Sequence, residues 1–111
     1  MIFADFYGSA SLFTSTRVPL QDRIANVFRA RPDDVVIRRV TIESAYPATE
    51  VWIELSSDEQ LARHGRELAR EVTEVVQAES PGDVWVLFRI VPLSHVFLNG
   101  EPRRRGAGTL D

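Results

Sequence analysis

Two absences restrict the side chains able to do chemistry in this 111-residue chain: it has no cysteine, and all thirteen of its basic residues are arginine. Without cysteine there is no thiolate nucleophile, thiolate metal site or disulfide. Without lysine there is no Schiff base, no side-chain amine base and no phosphate-loop lysine. What remains is an α-amine at Met1, two histidines (His64 and His95), the arginines and the carboxylates. An α-amine titrates near neutrality, so Met1 is a candidate base if its amine is partly buried. Arg38 and Arg39 are candidates for holding a carboxylate, which a planar guanidinium grips through two parallel hydrogen bonds. Neighbouring strand residues point to opposite faces, so only one of that pair can enter a given pocket. His95 stands beside a turn signal, His64 among helix charges where it is expected to be exposed, and Tyr46 before Pro47 as a turn anchor. There is no metal-ligand spacing, no Ser-His-Asp arrangement and no glycine-rich phosphate loop, and nothing calls for a metal or a cofactor.

These residues must be carried by one small core. The chain is 44% apolar with ten aromatics, which argues for a globular fold and a single domain over residues 1–111. Sixteen acidic residues against thirteen arginines give a net charge of −3, unlike the strongly basic face of a nucleic-acid binder. No apolar run approaches the roughly 18 residues of a membrane span, and the opening MIFADFYGSA lacks the basic region of a signal peptide. A cytoplasmic protein with neither nucleic-acid nor membrane partner is expected.

The sequence repeats. At a shift of 49 positions two halves align without a gap: Ile2-Phe3-Ala4-Asp5-Phe6 falls on Val51-Trp52-Ile53-Glu54-Leu55, and Pro32, Asp34 and Val35 fall on Pro81, Asp83 and Val84. RPDDVVIRRVTI and SPGDVWVLFRIV share one design, so the chain is read as a duplicated unit over about 1–46 and 50–100, with a loose tail over 103–111. Each unit reads strand, helix, strand. The second helix starts at Ser57, with Gln60 at capping-box spacing, carries Leu61, Gly65, Leu68, Val72 and Val76 as a stripe, and stops at Pro81-Gly82. In the first unit Pro19 suits the first helical position, which leaves Gly8 to Val18 as a Ser/Thr-rich loop before a stripe of Leu20, Ile24, Val27 and Phe28. Asn99-Gly100 signals a tight hairpin.

Period-two alternation predicts that Ile2, Ala4, Phe6, Val35, Ile37, Val51, Ile53, Leu55, Val84, Val86 and Phe88 face the helices. The other face carries Phe3, Asp5, Tyr7, Arg38, Trp52, Glu54, Trp85, Leu87 and Arg89, too apolar and aromatic to be left in water. Such a patch predicts self-association. Arg38 on that face either pairs with Asp5 or holds a substrate carboxylate.

The stretch from Ser56 to Pro102 resembles the tautomerase superfamily, the group of 4-oxalocrotonate tautomerase and macrophage migration inhibitory factor. The resemblance lies in the Ser-Asp-Glu-Gln helix start, the acidic-arginine amphipathic helix, the Pro-x-x-Val-x-Val strand and the hairpin His95-Val96-Phe97-Leu98-Asn99-Gly100-Glu101. It implies an α+β fold of two β-α-β units, a four-stranded mixed sheet with two helices on one face, assembled as a homotrimer. It implies keto–enol tautomerisation of small α-keto or unsaturated carboxylic acids, without a cofactor. It also implies pocket roles for His95 and Phe97 in the hairpin and for Trp85, at a second-strand position that is often arginine or tyrosine in the family.

The chain departs from the family at the base, an amino-terminal proline. It begins Met1-Ile2, Pro47 is an internal amide, and the family's glycine-arginine turn is replaced by Tyr7-Gly8-Ser9 and Leu55-Ser56-Ser57. Three readings follow. One is an isomerase using the Met1 amine, with Arg38, Arg39, Trp85, His95 and Phe97 around a small carboxylate substrate. Another is a non-catalytic trimeric scaffold, or the partner of a catalytic paralogue in a mixed oligomer. The third is a ferredoxin-like small-molecule-binding domain, which has the same element order.

Overall fold

Alternating apolar residues build four strands, and their hydrogen-bond partners define the architecture. In the computed structural model, which describes residues 1–45 and 48–103, the strands are β1 (Ile2–Tyr7), β2 (Val35–Val40), β3 (Thr49–Leu55) and β4 (Val84–Ile90). They form one mixed sheet in the order β2-β1-β3-β4. β1 pairs with β2 in parallel, β3 with β4 in parallel, and β1 meets β3 antiparallel at the centre. Helix α1 (Ala10–Phe28) joins the first parallel pair and α2 (Asp58–Glu79) the second. The two parallel strands of each unit are direct neighbours, whereas a ferredoxin-like split β-α-β places another strand between them. The ferredoxin-like reading is therefore excluded. Tyr46, Pro47 and the tail from residue 104 lie outside the described residues.

α2 forms where its sequence signals place it. The Ser57 hydroxyl accepts from the Gln60 backbone at 3.1 Å, and the Gln60 side chain reaches back to the Ser56 N–H at 2.8 Å. Asp58 and Glu59 in the first turn complement the positive end of the helix dipole. α1 is longer than its sequence suggests, and Gly8 to Val18 is not a loop. Ser9 caps the helix by accepting from Leu12 N at 3.2 Å, and Pro19 lies inside it. The Ser/Thr run survives in the helix because each hydroxyl bonds a carbonyl one turn back: Thr14 to Ala10 at 3.0 Å, Ser15 to Leu12 at 3.1 Å and Thr16 to Leu12 at 2.7 Å. Thr16 is fully buried by this means and continues the apolar stripe toward Leu20 and Ile24.

Both helices cover one sheet face, so the core comprises Ile2, Ala4, Phe6, Val35, Val51, Ile53 and Leu55 from the strands against Leu20, Ile24, Leu68, Val72 and Val76. Arg23 of α1 joins the helices by ion pairs to Glu71 and Glu74 of α2. The two units are related, but not gaplessly. Strand faces keep the 49-residue shift, whereas the helices align one residue short of it: Ser9 corresponds to Ser57, Leu20 to Leu68 and Ile24 to Val72. The first unit has Tyr7 and Gly8 between inward Phe6 and its cap, where the second has only Ser56 between Leu55 and its cap. The ladders also differ by a two-residue slip, Ile2 facing Val35 while Val51 faces Val86. An even slip keeps every side chain on its face, so the core tolerates it.

Candidate active site

Beyond β4, Val91 N still donates to Leu55 O at 2.7 Å, and Pro92 then ends the ladder. The chain turns over Leu93–His95, with His95 N bonded to Pro92 O at 2.8 Å, and enters a hairpin of β5 (Phe97–Leu98) and β6 (Glu101–Pro102). Asn99 and Gly100 take positive φ of 55° and 80° at its tip, the geometry expected of a two-residue Asn-Gly turn. Arg103 N closes the base of the hairpin on Val96 O at 2.9 Å. This returning segment covers the end of the sheet where β1 begins and β3 finishes, and encloses a cavity of about 280 Å³.

The cavity's walls are apolar. Met1 precedes β1 and Ile2 and Phe3 open it, Leu55 comes from the end of β3, Phe28 from α1, and Val91, Leu93, Val96, Phe97 and Leu98 from the returning segment. Ser56 and Gln60, already bonded to each other, line the turn into α2. Three ionisable residues belong to this lining: Met1, Glu54 and Arg103. Among the described residues none of the three enters an ion pair. An apolar concavity with a few convergent polar groups is the usual form of a small-molecule site.

Of the residues singled out in the sequence, the structure brings Met1 and Phe97 together here, 49% and 61% exposed. His95 is exposed in the adjoining turn and is not part of the lining. Trp85 lies at the start of β4 opposite Glu50, six residues before Val91 and so about 20 Å along the strand. Arg39 donates from Nε to Gly8 O at 3.1 Å, away from the cavity. Arg38 is on the open face, where its Nε donates to Asp5 Oδ1 at 2.9 Å and its guanidinium stacks 5.1 Å from the Phe3 ring centroid. His64 is half-buried rather than exposed, edge-on to Phe28 with centroids 4.9 Å apart, because α2 packs beside the end of α1.

The sequence reads Glu54 as one of four charges that pair on the open face, and the three arginines from Arg103 as a solvated run in preference to an anion grip. The structure instead places Glu54 and Arg103 in the cavity lining, and Glu54 forms no ion pair among the described residues. Glu54 is the repeat mate of Asp5, and each has an arginine beside it on the neighbouring parallel strand: Arg38 for Asp5, Arg89 for Glu54. The first pair forms and the second does not. Arg89 instead crosses the Trp52 ring at 4.6 Å to reach Asp5 Oδ2 at 3.3 Å and the Tyr7 hydroxyl at 3.4 Å. The Arg89 guanidinium is held above its ordinary range, first by the Tyr7 hydroxyl and also by Asp5. Asp5, 8% exposed, thus holds two guanidiniums, and Glu54 is left to the cavity. The signals for Arg103 in the sequence are the run of three arginines that it opens and its position just after the hairpin, whose return strand brings it back to the sheet.

No protein-family model and no curated protein sequence matches this chain. Solved structures do match. A macrophage migration inhibitory factor-like protein from Entamoeba histolytica superposes with a TM-score of 0.68 at 8% identity, covering 92% of this chain and 96% of that one. A fused 4-OT, described as a wild type asymmetric trimer, gives 0.67 at 13% identity over 91% and 94% of the two chains. This chain has the tautomerase fold. A protein of unknown function from Vibrio cholerae shares that tautomerase fold with a TM-score of 0.80, at 13% identity over 92% and 87% of the chains. Among the described residues of this tautomerase-fold chain, no helix is long and apolar enough to cross a membrane.

Proposed function

We propose that the cavity at Met1 binds a small carboxylic acid and that the protein is a keto–enol isomerase of small α-keto or unsaturated acids, without a proline base. One observation carries the reading: at the first residue of a tautomerase fold, Met1, Glu54 and Arg103 line one apolar cavity and none of them enters an ion pair among the described residues. The Arg103 guanidinium is the anchor for the substrate carboxylate, a role that Arg38 and Arg39, bonded elsewhere, leave open. The Met1 amine exchanges a proton with the substrate carbon, and the walls exclude water from the enol.

The test is ketonisation of phenylenolpyruvate followed by ultraviolet absorbance. The chain has no lysine, so acylation at neutral pH addresses the Met1 amine alone. A rate above background that acylation abolishes is the expected result. A rate that survives acylation moves the chemistry to side chains. No rate at all favours the non-catalytic scaffold, or partner of a paralogue, to which Met1-Ile2 in place of Met-Pro also points.

The same reading has the open sheet face buried between copies in a homotrimer of single-domain chains. Trp85 is 60% exposed there, on the same face as Phe3, Trp52 and Leu87, and the fused 4-OT of the same fold is described as a trimer. Leu87→Glu, which puts a charge at the middle of that face, is expected to give a monomer in light scattering. A variant at the wild-type oligomeric mass would remove this part of the reading.

A further inference from the structure

We infer that Glu54 is a catalytic residue of the Met1 cavity, the carboxylate that takes the hydroxyl proton from the enol. This inference rests on the isomerase reading and adds a residue to it. At this position the symmetry between the two units is broken. Asp5 and Glu54 occupy matching positions, each beside an arginine on the adjoining parallel strand. Asp5 is buried and bonded to both Arg38 and Arg89, so it is committed to holding the sheet face together. Glu54 keeps no ion pair among the described residues and lines the cavity. The Asp5 oxygens are taken up by two guanidiniums, whereas the Glu54 carboxylate, in the cavity lining and without such partners, has its oxygens free to accept a proton. The ionisable residues that share the cavity lining with Glu54 are Met1, just ahead of β1, and Arg103, just after the hairpin; Arg89, its register partner on β4, is turned toward Asp5 and Tyr7.

The proton balance closes without a co-reactant. With the substrate carboxylate on Arg103, Glu54 removes the hydroxyl proton, and the O–H bonding pair becomes the π bond of the new carbonyl. The carbon–carbon π pair takes a proton at C3 from the Met1 ammonium. Protonated Glu54 then returns its proton to the Met1 amine, which restores both groups with nothing oxidised or reduced.

The experiment compares wild type, Glu54→Gln and Glu54→Asp in steady-state ketonisation of phenylenolpyruvate across pH, with melting temperatures measured alongside. Glutamine is isosteric and no ion pair is lost, so the melting temperatures are expected to agree. Glu54→Gln is expected to lower kcat by about 10²–10⁴-fold with KM little changed. Glu54→Asp should recover part of that loss. The acid limb of the wild-type kcat profile, which reports protonation of a carboxylate, should vanish in the glutamine variant. Wild-type kcat with an unchanged acid limb in Glu54→Gln overturns the role of Glu54, and leaves the isomerase reading standing if acylation of Met1 still abolishes the rate. A wild type without activity overturns both. A glutamine variant that lost kcat together with its melting temperature would not support the role unless wild type itself showed the acid limb; without that limb the role is overturned.

Discussion

Phe6→Ala is expected to lower the free energy of unfolding by about 3–5 kcal/mol, the usual range for truncating a fully buried phenylalanine. Phe6 has no exposed surface and lies on β1, which is hydrogen-bonded on both sides. Its ring leans against Phe13 of α1, with centroids 5.6 Å apart and planes at 53°. It also packs under the turn into that helix, so tightly that a Cβ on Gly8 would stand 2.7 Å from its Cε1. Removing the ring takes away apolar burial and leaves a void between two rigid elements, where neither strand nor helix can move in to fill it. A domain of this size has about 5–15 kcal/mol in total, so the loss should be obvious in a urea titration as a lower midpoint at unchanged slope. A loss under about 1 kcal/mol would mean that Phe13 and the turn collapse into the space.

Pro19→Ala should act in the opposite direction and raise stability by about 2 kcal/mol. Proline inside a helix removes one hydrogen bond and crowds the carbonyl four residues back, which costs about 3 kcal/mol relative to alanine. Alanine restores an N–H that can reach the Ser15 carbonyl. Against this, proline restricts the unfolded chain, and losing that restriction offsets about 0.4–1 kcal/mol. Pro19 is exposed, so no core contact is given up. Thermal unfolding of the two proteins measures the sum. A destabilised variant would show that the packing of Thr16 and Leu20 depends on the backbone restriction that the proline imposes.

Pro19 also explains where the sequence misleads. A proline ahead of an apolar stripe has the look of a helix start, and three hydroxyl residues before it have the look of a loop. In α1 those hydroxyls are satisfied by their own helix, and tertiary packing of Leu12, Phe13 and Thr16 against the sheet outweighs the local cost of the proline. α2 contained no such conflict: cap, acidic first turn, stripe and Pro81-Gly82 stop all agree, and it forms as its pattern indicates.

By itself the sequence determined which residues are strands, which side of each strand faces the helices, where α2 begins and ends, and that a hairpin turns at Asn99-Gly100. Each of these is local, a matter of period two, period 3.6, a cap or a positive φ, and needs no knowledge of neighbours. The tertiary structure decided the strand order, the slipped register of the second unit and the composition of the cavity. An arginine side chain is long enough to cross a neighbouring strand, so Arg89 can choose Asp5 over the Glu54 beside it, and that choice depends on Trp52 and Tyr7 being within reach. Likewise Arg103 shares a cavity with Met1 only because Pro92 and the hairpin return the chain over the end of the sheet. The core is encoded by periodicity along the chain, while the candidate site arises where three distant segments end at one place.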